Sequence, residues 1–281
     1  ISIENLLEAW NEFLKGKRSR KDVQGFEQKL MKNIIDLHND LLNKKYKHSK
    51  YEAFNISDPK PRNIHKAKVR DRLLHHAIYR KLYPFFDSKF IADSYSCRNG
   101  KGTHKALSRF KEFSCIASGN NIKTVWVLKC DIRKFFATIR HDILLEIIGK
   151  NIRDENILWL LGVITHSFHT KDEHVGLPLG NLTSQLFVNI YMNEFDQFVK
   201  HKLKVKHYVR YADDFVLFSQ DRKQLESLLP QIEDFLKIKL GLGLHPNKVS
   251  IKTLSSGVDF LGWVHFPGHR ILRTTTRKRV I

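Results

Sequence analysis

The sequence predicts an α+β fold, and three observations carry that expectation. Apolar residues step by three and four through several long runs, the spacing of amphipathic helices. Two β-type runs, KHYVRY and FVLFS, flank a tight Ala-Asp-Asp, which is a hairpin pattern. A third, TVWVLKCDI (124–132), is apolar and β-branched, and it stands between helical stretches.

In chain order, Leu6, Leu7, Trp10, Phe13 and Leu14 predict a first helix. Val23, Phe26, Leu30, Ile34, Leu37 and Leu41 predict a second, single helix beyond the basic stretch GKRSRK. Residues 51–64 read as a short strand running into the two-proline turn DPKPR. Helical spacing resumes in VRDRLLHHAIYRKLYPFF, and RNGKGTHK (98–105) makes a basic, Gly-rich loop before a further helix. HDILLEIIG is a short helix, and VGLPLG leads into a long one from about Asn181 to Leu203. RKQLESLLPQIEDFLKIKL is helical, with Pro230 expected to kink it. Short strands are expected around Val249–Lys252 and Phe260–Val264, ahead of a basic end, RTTTRKRVI.

With 281 residues and 42% hydrophobic content, the chain can bury a sizeable core as one large or two intermeshed subdomains. Lys and Arg number 49 against 29 Asp and Glu, a formal charge of +20. A charge that high repels itself unless a polyanion screens it, so nucleic acid is the first partner to expect and an acidic membrane surface the second. No apolar run reaches the ~20 residues that cross a bilayer, and no basic-then-apolar leader opens the chain. No membrane partner is therefore expected, and Ile1 at the start fits a trimmed sequence. Cys97, Cys115 and Cys130 lack metal-ligand spacing and fit reduced thiols in a cytoplasmic protein, with Cys130 packing in its strand.

The chemistry centres on Tyr211-Ala212-Asp213-Asp214. Taken alone, an Asp-Asp turn is commonly a solvated turn. Adjacent carboxylates at a hairpin tip repel each other, however, and divalent cations would relieve that repulsion. Asp131 closes another apolar strand in KCDIRKFF, so a third carboxylate can meet the tip. Three such groups suit a two-metal site for in-line phosphoryl transfer, with ions ~3.5–4 Å apart.

Further blocks stand in a fixed order. They are Pro61-Arg62 with Asp71-Arg72, Ser94 to Gly102, Asp131 to Phe136, Gly180 to Ser184, the Tyr-Ala-Asp-Asp box, Asn247-Lys248, and Phe260-Leu261-Gly262. From about Tyr51 to Trp263 the sequence resembles a reverse transcriptase, an RNA-directed DNA polymerase. The resemblance implies a right-hand polymerase fold with fingers and palm, an antiparallel palm sheet backed by helices, and a thumb largely absent from the chain. Residues 1–120 are then N-terminal helices and fingers with palm segments, 121–265 the palm, and 266–281 the start of a thumb or a basic tail.

The resemblance also implies the site. Asp131, Asp213 and Asp214, with the Ile132 backbone carbonyl, would hold two Mg2+ ions, with Mn2+ as a substitute. Lys248 would be a general acid to pyrophosphate, or else a surface lysine. Arg62 and Arg72 would grip the incoming triphosphate, or else make structural ion pairs. Phe136 would be the steric gate under the sugar, with Phe135 a core aromatic. Leu179 and Gly180 would lie at the incoming nucleotide, and Gly180 would let the backbone come close where a Cβ would intrude. Arg98, Lys101, Lys105, Ser184 and Gln185 would meet template or primer. Asn181 or Ser184 could cap the helix that follows.

Leu179-Gly180-Asn181-Leu182-Thr183-Ser184-Gln185 departs from many reverse transcriptases, which have Gln where Leu179 stands and Pro where Gln185 stands. This block, and DSYSCRNGKGTH with it, most resembles the enzymes of diversity-generating retroelements. That implies error-prone copying at template adenines, a small basic accessory protein, a structured retroelement RNA, and a prokaryotic or phage-encoded enzyme. The expected substrates are an RNA template, a primer and deoxynucleoside triphosphates. Three rival readings are a group II intron-type or antiviral-defence reverse transcriptase, an RNA-dependent RNA polymerase, and a non-enzymatic RNA-binding scaffold. Phe136 argues against the polymerase that makes RNA, and the intact carboxylates argue against the scaffold. His166, His169 and His174 have no cysteine partner and no helical pairing, and read as a polar loop. Trp10, Trp126, Trp159 and Trp263 read as core or grip residues.

Overall fold

A computed structural model describes residues 2–57 and 61–280. The elements run α1 (Ile3–Phe13), α2 (Lys21–Glu27), α3 (Leu30–Leu42), β1 (Glu52–Ile56), β2 (Arg62–Lys66), α4 (Val69–Asp87), α5 (Thr103–Ser118), β3 (Trp126–Asp131), α6 (Phe135–Thr138), α7 (His141–Gly149), α8 (Glu155–His166) and α9 (Leu182–Gln197). There follow β4 (Tyr208–Tyr211), β5 (Asp214–Ser219), α10 (Arg222–Leu240), β6 (Ser250–Thr253), β7 (Val258–Phe260), β8 (Trp263–His265), β9 (Arg270–Leu272) and α11 (Thr274–Val280). Helices mixed with antiparallel sheets make this an α+β fold. Among the described residues no helix is long and apolar enough to cross a membrane. The chain divides into two units, each built from two stretches of sequence: 1–89 with 139–190, and 90–138 with 191–281.

In the first unit, Ser2 accepts the Asn5 N–H at 3.3 Å and starts α1. Leu6, Ala9, Trp10 and Phe13 then fall on one buried stripe, which packs on α4. The single helix expected from Val23 to Leu41 is two helices, α2 and α3, broken around Gln28 and Lys29. Gly25 weakens the first of them. The Asn33 side-chain amide takes the freed Phe26 carbonyl at 2.9 Å, and Phe26 turns onto Trp10 with ring centroids 5.2 Å apart. The strand expected over 51–64 becomes an antiparallel hairpin, β1 with β2, in the register Phe54↔Ile64. Residues 58–60 of the expected two-proline turn lie outside the described residues.

In the second unit, β4-β5-β3-β6 form a four-stranded antiparallel sheet. Phe215, Val216, Leu217 and Phe218 are all buried, so β5 is covered on both faces. Alternate residues supply the two covers. Val216 and Phe218 join Phe110 and Phe113 of α5 in one cluster. Phe215 meets Phe195 of α9 at 5.0 Å, and Phe195 and Phe198 meet Phe235 of α10. The long helix expected to Leu203 ends its α-form at Gln197 and widens into a π-helical turn, Phe198–Lys202. Helix α10 runs through Pro230 and stops at Gly241, whose φ is +60°. The strand expected over Phe260–Val264 is a turn. Leu261 and Gly262 take positive φ there and reverse β7 into β8 within a three-stranded sheet.

Candidate active site

Strand β3 pairs with β5 in the register Asp131↔Asp214, so two carboxylates end neighbouring strands side by side. Strand β4 pairs with β5 through Tyr211↔Asp214, which leaves Ala212 and Asp213 as a two-residue hairpin loop. Ala212 carries a φ of +55°, a conformation that costs a non-glycine residue energy. The Ile132 N–H donates to the Asp213 carbonyl at 3.2 Å, which fastens the tip to the end of β3.

The tip is braced from beneath by a pair absent from the expected site. Arg210 and Asp196 are fully buried. The Arg210 guanidinium donates to Asp196 Oδ1 at 2.7 Å and Oδ2 at 2.6 Å, to the Ala212 carbonyl at 3.1 Å, and to Ser94 Oγ at 3.2 Å. The Tyr208 hydroxyl also donates to Asp196, at 2.7 Å. A fork with all its partners in place fixes backbone direction, and one arm of it holds the strained Ala212. The signal in the sequence was a lone Arg inside an apolar strand run.

Residues 93–95 add a short parallel bridge to the free side of β4: Arg210 N–H donates to Asp93 O, and Tyr95 N–H to Arg210 O, both at 3.0 Å. The Ser94–Gly102 block therefore begins as an edge of the four-stranded sheet. Arg98 donates to the carbonyls of Ile91 at 2.7 Å and Ser94 at 3.0 Å, and Lys101 to that of Ala92 at 2.8 Å. These two basic groups hold their own loop, whereas Lys105 is exposed on α5.

The electrostatics at the tip favour a cation. Burial pushes the Asp214 carboxyl up to about 7; Lys129 pulls it the other way, and Asp131, Asp213 and Asp259 add to the rise. Asp214 Oδ1 is buried with no hydrogen-bond partner. Lys248 Nζ donates to both oxygens of Asp131 at 2.9 Å. An orphaned carboxylate oxygen among three crowded carboxylates fits a hard divalent cation held by oxygen ligands. The unit thus brings together Asp131, Ile132, Asp213, Asp214 and Lys248. Phe136 is half-buried on α6, beside the buried Phe135 at 5.6 Å.

The first unit gathers a separate group. The Leu179 carbonyl accepts from His65 N–H at 3.1 Å, and the Asn181 amide donates back to His65 O at 2.9 Å. These bonds lash the Leu179–Asn181 segment to β2. Leu179 is half-buried and Gly180 exposed. Gly180 has a φ of +98°, and a Cβ there would come 2.9 Å from Ile64 Cγ2, so backbone conformation and the β2 strand already require glycine. The Asn181 carbonyl accepts Gln185 N–H at 3.3 Å at the start of α9. Ser184 is buried at 2% exposure and packs inside, while Gln185 is partly open. Arg62 is exposed on β2. Arg72 instead pairs with Asp22 and lies 5.2 Å over the Phe13 ring, a structural arrangement.

A family model described as "Reverse transcriptase (RNA-dependent DNA polymerase)" matches residues 47–265. Protein YkfC of Escherichia coli is 26% identical over 246 residues, covering 74% of this chain and 62% of that protein. The group II intron-encoded protein LtrA of Lactococcus lactis is 24% identical over 277 residues, covering 74% of this chain and 44% of LtrA. The chain thus spans less than two thirds of the length of either relative. A solved apo telomerase of Candida tropicalis, truncated from its C-terminal domain, shares the fold with a TM-score of 0.60 at 12% identity, over 86% of this chain and 60% of that one. With most of its length matched, the chain belongs to the reverse transcriptase family.

Proposed function

We propose that the chain carries out RNA-templated DNA synthesis by nucleotidyl transfer. The observation that supports it most directly is the Asp131↔Asp214 register with Asp213 at the adjoining tip. Asp131, Asp213, Asp214 and the Ile132 carbonyl would hold two Mg2+ ions, or Mn2+ in their place. Bound there, such ions lower the pKa of a primer 3′-hydroxyl and neutralise charge on a triphosphate. The 3′-oxygen then attacks the α-phosphorus, the bond to pyrophosphate breaks, and the hydroxyl proton leaves to solvent. Lys248 neutralises Asp131 and is the candidate donor to the departing pyrophosphate. Phe136 would close the space under the sugar to a 2′-hydroxyl. Arg62 is the freer of the two arginine candidates for the triphosphate. Lys105 and Gln185 are the more open candidates for template or primer contact.

The finer reading is error-prone copying at template adenines within a diversity-generating retroelement, with a small basic accessory protein and a structured RNA. It is supported by Leu179 and the GNLTSQ block that follows it. The likeness to LtrA, itself named a group II intron-encoded protein, supports an intron-type enzyme as the second reading. The +20 charge suits an RNA partner in either case.

The test is primer extension on an RNA template with deoxynucleotides and Mg2+. The wild-type chain should extend the primer, and an Asp213→Asn/Asp214→Asn double variant should lose at least about 10³-fold in rate, the equivalent of some 4 kcal/mol. Undiminished extension by the double variant would reject the carboxylate assignment. Sequencing the product for substitutions opposite adenine separates the two finer readings.

A further inference from the structure

Three histidines distant in sequence converge in the first unit. His141 opens α7, His166 ends α8, and His174 lies in the loop that follows α8. One ring nitrogen of each lies within 4.8 Å of the others. The rings face one another at steep angles of 71°, 82° and 88°, with centroids 5.4, 6.4 and 5.4 Å apart. That is how imidazoles stand around a common point, not how they stack.

The backbone holds this arrangement independently of the side chains. His141 N–H donates to the His174 carbonyl at 2.9 Å, and Gly176 N–H donates to Ile139 O at 2.8 Å. Arg140 and Val175 form an antiparallel bridge between them. His174 is placed by a φ of +65°, an unusual conformation for a residue with a side chain.

The chemistry of His141 is the second, separate observation. Its ring is buried at 1% exposure. Nε2 lies 2.7 Å from the Gly176 carbonyl oxygen. A carbonyl only accepts, so Nε2 carries the proton. Nδ1 is therefore left with a bare lone pair, and it is buried with no hydrogen-bond partner. A buried unsatisfied nitrogen is costly unless something occupies it. A ring whose far nitrogen donates to a backbone carbonyl is oriented as metal-bound histidines are. His166 and His174 are exposed, so an ion can enter from solvent and both rings can turn onto it.

We propose that His141, His166 and His174 form a binding site for a first-row transition-metal ion, Zn2+ in particular, separate from the carboxylates of the polymerase site. Three neutral imidazoles select Zn2+ over hard Mg2+, whose preferred ligands are oxygens. Zn–N bonds of about 2.0–2.1 Å require the two exposed rings to close by an ångström or so onto His141, leaving a fourth position for water. The ion would join α7, α8 and the 167–176 loop. That loop leads directly to Leu179 and Gly180, so the metal would pin the stem of the segment that β2 holds at its other end. His169 takes no part: its Nδ1 lies 2.9 Å from the neighbouring Thr170 carbonyl oxygen.

The test uses the full chain carrying Asp213→Asn/Asp214→Asn, which weakens the competing carboxylate site. Zn2+ content is measured after dialysis against micromolar Zn2+, and Co2+ serves as a spectroscopic probe. One equivalent of Zn2+, tetrahedral Co2+ absorption bands and a raised Tm with Zn2+ are expected. His166→Ala and His174→Asn, both at exposed positions, should weaken binding by at least about 100-fold, and His169→Ala should not. Asn is chosen at 174 because it tolerates positive φ. Circular dichroism checks that each variant folds. No retained Zn2+ in the parent, or equal retention in folded His166→Ala and His174→Asn, would overturn the assignment.

Discussion

Lys248 and Asp131 stand 117 residues apart, yet the ammonium donates to both carboxylate oxygens at 2.9 Å. The lysine side chain is 41% exposed and the aspartate 14%. Lys248 thus acts as a resident monovalent counter-ion where a divalent one is proposed. Lys248→Met should lower stability in chelator by about 1 kcal/mol, the scale of a partly exposed ion pair. Millimolar Mg2+ should narrow that gap, because the ion takes over the lost charge. Thermal melts of both proteins with chelator and with Mg2+ give the answer. A gap of unchanged size would separate Lys248 from the metal position.

Asp214 makes the opposite case. Asp131 and Asp213 crowd its carboxylate, and one of the carboxylate oxygens, Oδ1, is buried without a partner. Asp214→Asn should therefore raise metal-free stability near neutral pH by about 1 kcal/mol while extension is lost. Urea unfolding in chelator measures the first effect. A destabilised variant would mean that Lys129, 3.8 Å away, outweighs the repulsion.

Phe136→Ala should admit ribonucleotides while keeping part of its deoxynucleotide use. The ring is half-exposed on the short helix α6, and Phe135 beside it carries the packing. The fold should therefore survive the change. The ratio of deoxynucleotide to ribonucleotide rates should fall toward unity; an unaltered ratio in a folded variant moves the gate elsewhere.

Leu179→Gln should lower misincorporation opposite template adenine. An apolar side chain leaves no polar group unsatisfied beside a mispair, whereas an amide does. The carbonyl of residue 179 keeps its bond to His65, so the backbone stays in place. Product from one RNA template is sequenced for both enzymes, with any partner that extension requires present. Equal error spectra would make Leu179 a packing residue.

Acid should destabilise the fold above the ordinary carboxylate range, with Asp214, raised to about 7, opposing the change there. Burial holds His76 and His265 down at about 4, against an ordinary 6.5. As pH falls through 6.5 the unfolded chain takes up these protons and the folded chain does not, so stability drops from there toward pH 4. Urea midpoints measured at several pH values across that window should fall steadily on the acid side. A flat profile would contradict the burial of these rings.

Much of this was legible in the sequence. Two β-type runs, KHYVRY and FVLFS, marked β4 and β5, and the unusual Asp-Asp between them marked the tip. Local pattern shows which face of an element is apolar, but not what that face meets. The Asp131–Lys248 pair, the Arg210–Asp196 brace and the convergence of His141 with His166 and His174 depend on chain segments that only folding brings together. The break between α2 and α3 escaped for a different reason. Its apolar spacing continues unbroken, while a Gly and an Asn side chain decide the backbone.

The interleaving of the two units bears on how the protein is made. Residues 1–89 cannot finish their unit until 139–190 have been synthesised. At a translation rate of about 5–20 residues per second, the α1–α4 layer waits some 5–20 s for its second half. During that wait the apolar surface of α3 and α4 that lies opposite α8 is bare to solvent. No single cut in its gene separates the two units, so a split or domain-swapped version must preserve all three crossings of the backbone.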